Sequence, residues 1–178
     1  MKKLTTTLLI LSLLMTFSIV GLSDDTASHN INVFVSDLHL LALNNTDSIT
    51  LSLNSATAGE LPGDITDTSK ALEYLVISSD DYKITAELNI DTPDSYDLSV
   101  LTTGIGAQYD GDGTGSAGSG SSVTLGTTSS DLITGINSPV ITGNSGADLK
   151  YKLSFSDVPA PDTGGTTYQV TYTLTSTN

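Results

Sequence analysis

The sequence predicts an all-β protein, and three observations carry that prediction. The first is the end of the chain, where large apolar and small polar side chains alternate from Thr167 to Thr177. Successive strand residues point to opposite faces, so Tyr168, Val170, Tyr172 and Leu174 would line a buried face while Thr171, Thr173 and Thr175 meet water. The second is the acid composition: seventeen Asp against three Glu, in a chain rich in Thr, Ser and Gly. Asp is a turn residue and Glu a helix former, so the imbalance favours strands joined by turns. The third is the regular spacing of short apolar runs between turn signals, with no long helical pattern.

Taken in order, Ile31–Val35 is the first expected strand, with Ile31, Val33 and Val35 on one face. Leu38–Leu43 is apolar and less regular, a continuation through a bend, and Ser48–Leu53 alternates again through Ile49, Leu51 and Leu53. Asn54–Ser69, with Gly59, Pro62, Gly63 and three acids, reads as a loop. Leu72–Ser78 is apolar almost throughout, as in a strand covered on both sides or bulged; a short helical turn near Ser69 is the competing reading. Tyr82–Ile90 is the clearest internal strand, closed by the turn Asp91–Asp94 and followed by Tyr96–Val100. The segment 110–122, nearly all Gly, Ser, Thr and Ala after its first acids, is expected as a flexible loop. Short strands at Val123–Leu125 and Leu132–Ile136, then Leu149–Phe155 with Lys150 and Lys152 facing out, lead through a turn-rich stretch to the terminal strand. Eight or nine strands at this spacing predict one two-sheet sandwich of immunoglobulin-like or jelly-roll type.

The first 23 residues read as a signal peptide. Lys2 and Lys3 form the charged region, Leu8–Val20 the apolar region, and Gly21 and Ser23 the small residues before a cut at Asp24. A retained membrane anchor is the alternative, but the apolar stretch is shorter than the roughly 20 residues a spanning helix needs. Cleavage leaves a single domain, 24–178, with four lysines, no arginine and twenty acids, a net charge of −16. Such a surface repels phosphate backbones and anionic membranes, which argues against nucleic-acid or membrane-surface partners. The chain has no cysteine, so nothing can be stapled by disulfides.

Three blocks then carry a resemblance: Ser122–Ile136 (SVTLGTTSSDLITGI), Asp148–Leu153 (DLKYKL) and Val170–Thr175 (VTYTLT). In this order they resemble a largely uncharacterised group of small secreted proteins of Bacteroidota, with Tyr82–Ala86 and Leu98–Thr102 at the places of that group's middle strands. The resemblance implies an exported β-sandwich at the cell surface or outside the cell, and it brings no catalytic motif. More loosely, the chain is similar to fimbrial subunits, which end in an alternating strand and carry an alternating N-terminal extension. There one subunit's extension completes the next subunit's sandwich. The corresponding extension here is 28–35, with Ile31, Val33 and Val35 as the inserting side chains. Fimbrial subunits often hold a disulfide, and this chain departs from them in having none. The plainer reading makes Ile31–Val35 the first strand of a self-contained sandwich.

Little in the sequence points to catalysis. The two histidines are His29, near the start of the exported chain, and His39, between leucines on an expected strand, where a partly buried structural role is commoner than a base. There is no nucleophile-elbow, zinc-protease or phosphate-loop pattern. Asp80-Asp81 occupies a turn, and without tryptophan the usual platform for stacking sugars is missing. Asp110-Gly111-Asp112-Gly113-Thr114-Gly115 starts like a calcium loop, then fails: position five is Thr114, and position twelve, where a bidentate Glu belongs, is Ser121. The calcium reading therefore names Asp110 and Asp112 as weak ligands, against an ordinary acidic hairpin loop. The expected role is a non-enzymatic extracellular structural or adhesive subunit, self-assembling into filaments by strand exchange through Ile31, Val33 and Val35. The alternative is a monomeric surface module binding a glycan or another ligand through its long loops, with or without calcium.

Overall fold

The computed structural model describes residues 29–109, 115–143, 146–162 and 164–178, and divides the chain into two units, Met1–Phe34 and Val35–Asn178. Within the first unit, the described residues 29–34 form no strand. The stretch read as a signal peptide, together with Asp24–Ser28, lies outside the described residues. No helix among the described residues is long and apolar enough to cross a membrane.

The second unit is all-β. Its strands are β1 (Leu38–Leu43), β2 (Ile65–Ile77), β3 (Tyr82–Leu88), β4 (Tyr96–Thr103), β5 (Ala107–Tyr109), β6 (Ser116–Gly120), β7 (Ser122–Thr124), β8 (Ser130–Asn137), β9 (Val140–Thr142), β10 (Ala147–Phe155) and β11 (Val170–Ser176). They form two antiparallel sheets, one of seven strands and one of four in the order β11-β3-β8-β6.

The larger sheet is simpler than its strand count. β9 and β10 follow one another along the same side of β2, with Val140 opposite Val76 and Ala147 opposite Leu72. β4 and β5 likewise follow one another along β10 and β9. The sheet is thus five positions wide: β1, β2, β9 with β10, β5 with β4, and β7. Eleven segments therefore do the work of nine strands, which is why the sequence spacing reads as eight or nine.

The core lies between the sheets. Leu72, Tyr74, Val76, Val100, Val140 and Leu149 from the larger sheet meet Ile84, Ala86, Leu88, Ile133 and Ile136 from the smaller one. Strict alternation in β3, with Tyr82, Ile84, Ala86 and Leu88 buried, follows directly from the sequence pattern. On the outer face of the smaller sheet, Lys83 pairs with Asp131 at 2.8 Å; both side chains are part-exposed, so the pair contributes at most about 1 kcal/mol.

Four sequence expectations need correction. Ile31–Val35 is not a strand, and the first strand begins at Leu38. Ser48–Leu53 is not a strand either, although Ile49 and Leu51 still pack against the core. There the neighbouring edge of β2 is engaged by other means: Asn44 takes both backbone groups of Ala71, and the buried Lys70 ammonium donates to the Asp47 carbonyl. The loop expected over Asn54–Ser69 ends at Asp64, and the helical turn near Ser69 does not form, because β2 starts at Ile65 and runs through that position. Finally, β6 lies inside the stretch read as a flexible loop. Gly118 adopts φ +85°, and a Cβ there would sit 2.6 Å from the Thr134 carbonyl oxygen. The glycines that hide this strand from sequence reasoning are what let it approach β8 so closely.

Gly146, between β9 and β10, is the tightest such contact, since a Cβ there would lie 1.7 Å from the Leu72 carbonyl oxygen. Gly146→Ala is expected to cost about 2 kcal/mol or more in urea unfolding. Gly63→Ala, where a Cβ would meet nothing within 4 Å, should stay within about 0.5 kcal/mol. Equal effects at the two sites would refute this packing.

Candidate functional site

β11 is an edge strand of the four-stranded sheet. Val170, Tyr172 and Leu174 share one face with Tyr168, as the alternation predicts, and Thr171, Thr173 and Thr175 are exposed. The inward residues are only half-buried, and no strand pairs with the far side of β11.

The ladder fixes which backbone groups are free. Asn89 N donates to the Gln169 carbonyl at 3.1 Å, and Thr177 N donates to the Asp81 carbonyl at 2.9 Å. In an antiparallel pair the bonded residues alternate, so odd-numbered residues of β11 direct their N–H and C=O groups toward β3. The backbone groups of Val170, Tyr172, Leu174 and Ser176 consequently point to the open side. Among the described residues, nothing bonds them.

Tyrosines hold this edge in place. The Tyr172 hydroxyl meets the Tyr151 hydroxyl of β10 at 2.6 Å, and the Tyr168 hydroxyl meets that of Tyr96 in β4 at 2.7 Å. The first pair crosses from one sheet to the other, and the second ties the residue two positions before β11 to the larger sheet. Burial pushes the Tyr172 phenol far above its usual range, and the adjacent Tyr151 phenol adds to the rise. Tyr168 is pushed up to about 12, first by burial and then by Tyr96.

The residues singled out by sequence fall apart in space or out of view. Ile31, Val33, Phe34 and Val35 are 75%, 79%, 90% and 75% exposed. Asp110 and Asp112 lie outside the described residues, and no group of three or more potential metal ligands occurs among those described. His39 is exposed rather than partly buried, its ring resting 5.5 Å from that of Tyr82. Asp80 and Asp81 are engaged in the fold: Asn137 Nδ2 donates to Asp81 at 2.7 Å, and Asn178 Nδ2 donates to Asp80 at 3.3 Å. The loop after Asn54 borders an open depression lined by Ser52, Leu53, Asn54, Ser55, Gly63, Asp64 and Ile65, with a single charged side chain.

Sequence reasoning found the inward face of the terminal strand but not its free edge. Alternation reports which residues face a core; it carries no information on whether a strand has one neighbour or two. The one available signal was the absence of charge. Residues 163–178 contain no charged side chain, whereas edge strands usually carry lysine or proline to discourage pairing. Chemically, an open strand edge of this kind offers backbone donors and acceptors to which an extended segment can be added. No family model, curated protein or solved structure matches the chain.

The raised phenol values make stability depend on pH with a definite sign. A phenol whose folded value exceeds its unfolded value near 10 stabilises the fold below that pH and withdraws the contribution as pH rises through the folded value. The urea midpoint is therefore expected to hold steady from pH 7 to 9 and to fall between about pH 10 and 12. Tyr172→Phe should lower stability at pH 7 by about 1–3 kcal/mol, leaving the Tyr151 hydroxyl unpartnered, and should flatten the alkaline fall. An unchanged alkaline slope in that variant would contradict the assignment.

Proposed function

We propose that this chain is a non-enzymatic extracellular structural or adhesive subunit that associates with copies of itself by β-strand addition. The carrying observation is the segment around Ile31, Val33 and Val35, which alternates like a strand yet forms none and exposes three-quarters or more of each of these side chains. Contiguous exposed apolar side chains of this kind mark interaction segments, because leaving them in water forfeits roughly 25 cal/mol for every Å² that a partner would cover. The leader-like N-terminus supports export, and the resemblance to secreted sandwich proteins supports the same compartment. An unprotected strand edge supports the mode of association, since a free ladder and an extended apolar segment are complementary parts.

The test compares the chain from Asp24 with a chain starting at Asp37 by gel filtration and negative-stain microscopy. Multimers or filaments are expected from the first and a monomer from the second. A first form that stays monomeric at high concentration would overturn the proposal in favour of a monomeric ligand-binding module.

A further inference from the structure

We infer that the acceptor is the free edge of β11 in a second copy, which residues 31–35 join as an antiparallel strand. Ile31 then stands opposite Leu174, Val33 opposite Tyr172, and Val35 opposite Val170. This inference rests on the self-association reading and specifies its surface, partner and register.

Five edges compete for the role. β5 and β7 are each three residues long. β6 offers one buried apolar side chain, Ala117, and is bent at Gly118. In β1, Leu38, His39, Leu40 and Ala42 are all exposed, so only Leu41 and Leu43 present apolar surface to the core. β11 is seven residues long, and three of its apolar side chains face inward and are half-covered. The uncovered remainder of Val170, Tyr172 and Leu174 is what an added strand would bury.

Backbone and side chains agree at this edge. The free N–H and C=O groups belong to Val170, Tyr172 and Leu174, the same residues whose side chains turn inward. Directly opposed residues of an antiparallel pair project to the same face. A segment bonded to these groups through residues 31, 33 and 35 therefore sends its three β-branched side chains toward the core and makes up to six new ladder bonds. The antiparallel sense is chosen because its pairing is slightly the more stable per residue.

Charge selects the same two surfaces. Copies of a chain with formal charge −14 repel one another. Residues 163–178 hold no charged side chain, and 26–36 hold none but a neutral His29. Contact between these stretches adds no charged side chain of its own, and the flanking β3 places one charge of each sign opposite β11, Glu87 and Lys83.

The absence of native cysteine permits a direct test. Asn32 and Thr173 are exposed, so cysteine at either should leave the fold intact, and the proposed register sets them opposite one another. The chain from Asp24 carrying Asn32→Cys is mixed with one carrying Thr173→Cys, Thr171→Cys or Ala42→Cys, oxidised, and resolved without reductant. A disulfide needs Cα atoms within about 7 Å, so about tenfold more mixed dimer is expected with Thr173→Cys than with the other two. Predominant cross-linking to Thr171→Cys (the parallel register) or to Ala42→Cys (the β1 edge) overturns the inference. So does the absence of any cross-link while multimers persist, or a disulfide closed within one chain carrying both Asn32→Cys and Thr173→Cys. Loss of multimers by the unmodified chain would instead overturn the function proposed above, which keeps the two failures apart.

Discussion

A buried phenol is favourable only when its hydroxyl finds a partner, and in this cysteine-free sandwich that requirement joins the two sheets. Tyr74 of β2 donates across the core to the Ala117 carbonyl of β6. Tyr151 and Tyr172 meet between β10 and β11, and Tyr96 and Tyr168 meet just before β11 begins. Exported domains often fasten such layers with disulfides. Here hydroxyls placed on inward-facing strand positions fasten the same layers, and large rings fill the space between them.

The terminal strand is thus held without being enclosed. Full pairing with β3 and two phenol contacts across the core keep it extended and in register. Its other side presents an uninterrupted row of backbone groups, and the strand itself carries no charged side chain. A strand kept straight in this way needs no reordering to receive another, so the proposed association at this edge would avoid part of the conformational entropy that binding usually costs. The ordering cost would fall on the incoming segment, whose β-branched residues already favour the extended form.

How much of this was legible in the sequence depended on the kind of information each feature carries. Tyr82–Leu88, Leu149–Phe155 and the terminal strand were readable because each buries one face, and period-two alternation encodes that directly. β6 was not readable, because its strand is defined by close approach to β8 through Gly118, and glycine carries no strand signal. Ile31–Val35 illustrates the converse. It alternates apart from Phe34, yet it forms no strand, because a hydrophobic pattern specifies a face to be covered and not which chain covers it. The edge position of β11 depends on sheet order, a long-range property set by the pairing of β3 with β8 and β11.

The most direct test of the account is residue-resolved backbone hydrogen exchange on the chain from Asp24, alongside the chain from Asp37. The amides of Thr171, Thr173 and Thr175 bond to β3 and should be protected in both. Those of Val170, Tyr172 and Leu174 should exchange rapidly in the shorter chain and become protected in the assembled longer one. Equal exchange of these three amides in both forms, with the longer chain assembled, would contradict the account.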